Sequence, residues 1–264
     1  MRALIFDCDG VLADTEKDGH RVAFNQAFRD LGIPVQWSVN DYGPLLAVGG
    51  GKERLRAFLT PDRLAQLGIS SDQSQLGVLV HNLHQRKSSA YQDLIRSGAI
   101  AARPGVARLA HEALSTGWAV AIASTSAVGS VQAVSRHVFG RGLAEQIPIL
   151  AGDVVARKKP APDIYLIAAA KLAVQPSDCI AIEDSPVGCA AAVSAAMTCV
   201  ITESEYTAGA NFSNAALVIR DLGEPGDPEP PKVIQNPHGL TLRGPVSLSD
   251  LRWLADARLL DTRQ

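Results

Sequence analysis

The stretch Ala3-Leu4-Ile5-Phe6-Asp7-Cys8-Asp9-Gly10-Val11 decides the fold. Four apolar residues that stop abruptly on a carboxylate describe a buried strand delivering polar side chains at its C-terminal end. Asp7 and Asp9, at i and i+2 on an extended segment, share a side, and Gly10 lets the chain leave sharply with its backbone near a ligand. Taken alone, the acidic turn is compatible with a calcium loop, a plain turn or catalysis. A calcium loop fails, because the further acidic positions and the glutamate at position twelve are missing.

Working outward, the same pattern recurs. Residues 120–123 end on Ser124, 180–182 on Glu183 and Asp184, and 199–201 on Thr202. Helical periods near 106–116, 128–139, 163–172 and 187–196 separate these runs, which predicts an α/β fold with a parallel sheet. In such sheets, sites form beyond the carboxyl ends of the strands, where these polar residues fall. Residues 15–99 read differently, with helical patterns near 17–31, 52–66 and 74–97 and no buried strand. The expectation is a core of residues 1–14 and 100–264 with a helical domain, 15–99, inserted after the first strand; Gly98, Pro104 and Gly105 punctuate the return. Pro225, Pro228, Pro230, Pro231, Pro237 and Pro245 disfavour helix or central strand over 223–245, leaving an extended surface segment. Behind it, Leu248, Leu251, Ala255 and Leu259 recur at helical spacing after the candidate caps Ser247 and Ser249, predicting a final helix over 247–260.

With Lys+Arg 25 against Asp+Glu 27, the formal charge of −2 argues against a phosphate-backbone binder, so no nucleic-acid partner is expected. Apolar runs such as 118–123 stop far short of the ~20 residues of a membrane-spanning helix. The N-terminus leads straight into Asp7 without the apolar stretch of a secretory signal, so the expected location is cytoplasmic, with no membrane partner. Cys8, Cys179, Cys189 and Cys199 form no CxxC pair and read as buried thiols.

The later strand ends and loops complement the first. Ser124, Thr125 and Ser126 offer hydroxyl and backbone donors, Lys159 a fixed positive charge, and Glu183-Asp184 carboxylates for a hard cation. With these four motifs in order, the sequence resembles the haloacid dehalogenase-like hydrolase superfamily over residues 1–222. The resemblance implies a Rossmann-like core with a small α-helical cap. It also implies Asp7 as a nucleophile forming an aspartyl-phosphate and Asp9 as the general acid and base. Mg²⁺ would lie among Asp7, the Asp9 carbonyl and Asp184, with Glu183 orienting that shell. Ser124 and Lys159 would hold the phosphoryl oxygens, with Thr125 and Ser126 beside them on the substrate. The dehalogenases of the superfamily lack the second aspartate, so Asp9 implies phosphoryl chemistry, by a phosphatase or a mutase.

Residues 49–54, Gly-Gly-Gly-Lys-Glu-Arg, tempt a phosphate-loop reading that fails: Leu46 replaces the first glycine, and Glu53 follows the lysine. This stretch, with Asp14-Thr15-Glu16, His20-Arg21, 151–153 and 159–165, is similar to the CbbY-like branch of the superfamily. That likeness implies a phosphatase acting on xylulose 1,5-bisphosphate, a sugar bisphosphate that inhibits Rubisco, and so a role beside carbon fixation. It puts Lys52 and Arg54 on the phosphate that is not cleaved, and Glu16, His20 and Lys87 near the sugar. Two alternatives stay open: a sugar-phosphate mutase of β-phosphoglucomutase type, and a non-catalytic protein that binds a phosphorylated ligand.

Overall fold

The computed structural model describes residues 1–48 and 50–261. Gly49 of the glycine run and the side chain of Leu259 lie outside the described residues. The chain divides into two compact units, Met1–Asp14 with Ala101–Gln264, and Thr15–Ile100.

The first unit is built on a seven-stranded sheet in the order β3-β2-β1-β4-β5-β6-β7. Its strands are β1 (Ala3–Phe6), β2 (Ala119–Ser124), β3 (Ile149–Ala151), β4 (Cys179–Glu183), β5 (Thr198–Thr202), β6 (Leu217–Ile219) and β7 (Val233–Gln235). All pairs are parallel except β6 with β7. β1 lies in the interior of the sheet, and Ala3, Leu4, Ile5 and Phe6 are wholly buried; each large side chain contributes about 1.5–3 kcal/mol. Phe6 stands opposite Ile122 of β2 and Ile182 of β4, so the three strands finish level. Asp7 follows one residue past that line, Ser124 two, and Glu183 one. The Asp7 N–H still donates to the Ile182 carbonyl, at 2.9 Å, before the chain turns.

The second unit is helical. A π-helical turn, Glu16–His20, leads into α1 (Arg21–Asp30), followed by α2 (Val39–Tyr42), α3 (Gly51–Phe58), α4 (Pro61–Gln66) and α5 (Gln73–Arg96). One helix over 52–66 is expected from the sequence, but two form. Pro61 has no N–H to continue the ladder and holds Thr60 extended (ψ 159°), where the threonine caps α4. The short α2 is fixed by a capping box in which Ser38 accepts from the Asp41 N–H while the Asp41 carboxylate accepts from the Ser38 N–H. Trp37 centres the core of this unit. Its ring meets Phe24, Phe28 and Phe58 edge-on, with centroids 4.9–5.0 Å away, and its backbone is pinned from both sides by the buried Asn25 amide.

The sheet unit is completed by α6 (Val106–Ser115), α7 (Val128–Ala144, with a break in helical geometry at Gly140), α8 (Asp163–Leu172), α9 (Pro186–Ser194) and α10 (Leu248–Asp261). Ser247, rather than Ser249, caps α10, exchanging hydrogen bonds with Asp250, and Leu251, Leu254 and Ala255 are fully buried. The proline-rich segment carries β7, whose Val233 and Ile234 are exposed, as suits an edge strand. It is tied down where it begins and ends: Arg108 donates to the carbonyls of Leu222, Gly223 and Val246.

Candidate active site

In the sheet unit, Lys159 is the hub. Its Nζ donates to Asp7 Oδ1 at 2.6 Å, to Glu183 Oε1 at 2.6 Å and to the Ala123 carbonyl at 3.1 Å, with the Tyr165 hydroxyl at 3.2 Å. Glu183 is held at both oxygens. Oε1 also accepts from the Tyr165 hydroxyl at 2.6 Å, while Oε2 accepts from the N–H of Asp184 at 3.1 Å and from Ser185. This close seat requires Gly188 in the first turn of α9, since a Cβ there would stand 1.9 Å from Glu183 Oε1. Gly10 plays the same part after β1. Its φ of 79° turns the chain, and a Cβ would stand 2.1 Å from Asp184 Oδ2. Ser124, buried at the end of β2, accepts from the Ser126 N–H at 3.1 Å, and the Ser126 hydroxyl donates to Asp9 Oδ2. Thr125, between them, is half-buried.

These groups carry more negative than positive charge. Burial pushes the Asp7 carboxyl up to about 7; Lys159 opposes the rise, while the charges of Glu183 and Asp9 add to it. Burial, with Glu183 and Asp7, also drives Asp184 well above the usual carboxylate range. For Glu183 the burial is outweighed by Lys159 and by its hydrogen bonds, which hold it below its ordinary value. Asp7, Glu183 and Asp184 bring ligand oxygens within 4.8 Å of one another. An all-oxygen, anion-rich set of this kind fits a hard divalent cation such as Mg²⁺.

The helical unit carries two polar groups. In one, Arg54 is buried, donates to the Leu45 carbonyl at 3.2 Å and pairs with Glu16 at 3.4 Å; the Tyr42 hydroxyl donates to Glu16 Oε2 at 2.7 Å and accepts from Arg54. In the other, Lys87 Nζ lies 2.7 Å from His20 Nδ1, both residues being buried, and His20 stacks on Tyr91 with centroids 4.1 Å apart. Lys52 is exposed at the start of α3. The structure therefore separates Lys52 from Arg54 in character, although the sequence presents them as a pair. Tyr42 and Ser185 do not stand out in the sequence, and Tyr165 enters only as the last residue of the stretch 159–165, with no role; both tyrosines look like ordinary core aromatics until their hydroxyls find partners.

A family model described as a haloacid dehalogenase-like hydrolase matches residues 1–196. The chain belongs to that family. Among these hydrolases it is 45% identical, over 227 residues, to a CBBY-like protein of Arabidopsis thaliana, covering 84% of this chain and 70% of the relative. It superposes on the crystal structure of CbbY from Rhodobacter sphaeroides in complex with phosphate with a TM-score of 0.74 at 37% identity, covering 84% of this chain and 94% of that one. A mutant of the same CbbY in complex with xylulose-(1,5)bisphosphate gives 0.72 at 35% identity, with the same coverage. The expected α/β fold is thus the observed one, and the chain is a phosphatase of the haloacid dehalogenase-like family. Among the described residues, no helix is long and apolar enough to cross a membrane.

Proposed function

We propose that the protein hydrolyses a sugar bisphosphate, xylulose 1,5-bisphosphate, with Mg²⁺ and through an aspartyl-phosphate on Asp7. The observation that carries this reading is the Lys159 hub. By binding Asp7 Oδ1, Lys159 fixes the carboxylate so that Oδ2 is the nucleophile, and its charge then serves the phosphoryl oxygens together with the Ser124 hydroxyl. Asp9, held by Ser126, protonates the leaving sugar oxygen and then takes a proton from the water that cleaves the aspartyl-phosphate. Asp7, the Asp9 carbonyl and Asp184 would hold Mg²⁺, and Glu183, whose oxygens are already engaged, positions its neighbours. When bound, the ion supplies neutralising charge to the transferring phosphoryl group.

The unit Thr15–Ile100 is the cap in this reading, and Lys52 holds the phosphate that is not cleaved. Arg54 acts by fixing Glu16, which, with His20 and Lys87, addresses the sugar. The likeness to CbbY bound to xylulose-(1,5)bisphosphate supports that substrate. Four free, buried cysteines support a reducing compartment such as the cytoplasm. One observation favours the mutase as a second reading: the Lys87–His20 contact could control proton transfer so that the phospho-enzyme waits for a sugar phosphate. Phosphate release from xylulose 1,5-bisphosphate, with Mg²⁺ and with EDTA, tests the proposal. Release that needs Mg²⁺ supports hydrolysis, and conservation of organic phosphate supports the mutase.

A further inference from the structure

Arg103 stands where the chain re-enters the sheet unit, and the chemistry above does not use it. Its Nη2 donates to the Glu203 carbonyl at 2.8 Å and to the Arg220 carbonyl at 2.6 Å, so one nitrogen ties the loop after β5 to the loop after β6. Its backbone N–H donates to the Leu12 carbonyl at 2.9 Å, and the neighbouring Ala102 bridges Ala13, whose carbonyl accepts from the Gly10 N–H at 2.9 Å. One residue thus joins the loop of Asp9 and Gly10 to the loops after β5 and β6. Asp184 lies between the segments it joins. On one side is Gly10, where a Cβ would stand 2.1 Å from Asp184 Oδ2. On the other, Glu183 pairs with Ile201, so the chain reaches Asp184 beside the end of β5, and Ser204 follows that strand by two residues. The buried Ser204 hydroxyl hydrogen-bonds the Asp184 carboxyl group. That hydroxyl is itself oriented. The Ser204 N–H donates to Thr207 Oγ1 at 3.0 Å, which leaves the Thr207 O–H to donate to Ser204 Oγ, 2.9 Å away, and the Ser204 O–H to donate to Asp184. Glu203 closes the loop by accepting from the Gly209 N–H at 3.0 Å, and its own N–H donates to the Ile219 carbonyl at 2.9 Å. Arg103 therefore grips this loop at the residue directly before Ser204.

We propose that Arg103 is a positioning residue for Asp184: by holding the Glu203 carbonyl, its side chain fixes the Ser204 hydroxyl against the Asp184 carboxylate and so prepares that carboxylate for a divalent cation. This rests on the reading that Asp184 is a ligand of Mg²⁺. A carboxylate already held in place loses less freedom when it takes the ion, so a partner behind a metal ligand raises metal affinity without touching the metal. The two sides of Asp184 depend on Arg103 differently. The bond to Leu12 comes from the Arg103 backbone and survives a change of side chain, whereas the bonds to Glu203 and Arg220 do not. Replacing the side chain therefore loosens the Ser204 side alone.

The test titrates Mn²⁺, as a stand-in for Mg²⁺, into the full chain without substrate and counts the free ion by its paramagnetic resonance signal, a readout that a change in folding stability alone does not move. Arg103→Met, which has no donor, and Ser204→Ala should each weaken binding about tenfold, the low end of what is lost when a partner behind a metal ligand is removed. Both changes cut the same chain of contacts. The double variant should therefore bind within about twofold of the weaker single variant, where independent effects would multiply to about a hundredfold. Arg103→Gln, too short to reach both carbonyls, replaces Arg103→Met in the cycle if circular dichroism shows that variant unfolded. Unchanged Mn²⁺ binding in either single variant, or a multiplied loss in the double one, would overturn the proposal and leave the metal reading standing. Failure of the metal reading itself looks different and would overturn both: the unaltered protein would take up no Mn²⁺, or Asp184→Asn would bind it as well as the unaltered protein does.

Discussion

The two units use charge in opposite ways. At the strand ends of the sheet unit lie four carboxylates, Asp7, Asp9, Glu183 and Asp184, and Lys159, whose side chain is 8% exposed, pairs with two of them, Asp7 and Glu183. In the helical unit cations predominate around the half-buried His84 of α5, and they fall into a locked set and an open one. Arg54 is bound to Glu16 and Tyr42, whereas Lys52 stands exposed. In the proposed reading, the excess of buried carboxylate is met by a metal ion and the exposed cation by a phosphate. In the helical unit, the proposed reading gives Arg54, committed to protein partners, the task of positioning Glu16, and the exposed Lys52 the contact with a ligand.

The strongest way to break this contrast is at Asp7. Asp7→Asn keeps the shape but removes the nucleophilic charge, and turnover should fall more than about a thousandfold with the fold intact by circular dichroism. Near-normal activity in a homogeneous preparation would remove Asp7 from its role. The metal half of the contrast is tested by chelation. EDTA should abolish turnover and Mg²⁺ restore it, and Mg²⁺ should raise the melting temperature, since it relieves repulsion among Asp7, Glu183 and Asp184. Lys159→Met then asks whether the hub is structural as well. Leaving Glu183 and Asp7 buried without their cation should cost about 3–5 kcal/mol in denaturant unfolding, and a loss below about 1 kcal/mol would contradict the commitment described for it.

Much of the sheet unit can be read in the sequence, because a fully buried strand leaves an uninterrupted apolar run: β1, β2 and β4 each lead into polar residues of the site, and β5 ends on Thr202. β3, β6 and β7 are three residues long, and exposed β7 has no apolar signature beyond Val233 and Ile234. Asp7, Asp9, Ser124, Lys159, Glu183 and Asp184 were legible as polar groups at the ends of strands or in loops. The role of Tyr165 was not, because it occupies an ordinary buried position of α8, and only folding shows its hydroxyl meeting Glu183 and Lys159. The pairing of Lys52 with Arg54 in sequence hid their difference, since adjacency in a helix does not say which side chain turns inward.

That difference supplies a finer test. Lys52→Ala should raise KM for a bisphosphate about tenfold or more, the loss of one charge-assisted bond worth roughly 1.5–3 kcal/mol, without changing the melting temperature. Arg54→Ala should lower the melting temperature as well, because Glu16 and Tyr42 lose their partner. The smallest effect is on acid stability. The His84 imidazole titrates at about 4 when folded against an ordinary 6.5, so between these values the unfolded chain binds a proton that the folded chain does not. Its contribution to stability is intact above pH 6.5 and is lost as pH falls toward 4. The drop in melting temperature from pH 7.5 to pH 5 should therefore be smaller in His84→Gln than in the unaltered protein, and an equal drop would contradict the cationic setting of His84.

The most direct test of the whole account is the stoichiometry of phosphate release. Incubated with xylulose 1,5-bisphosphate and Mg²⁺, the protein should free one equivalent of inorganic phosphate per molecule of substrate and leave a sugar monophosphate, with no release by Asp7→Asn. Unchanged organic phosphate, or release that persists in Asp7→Asn, would contradict it.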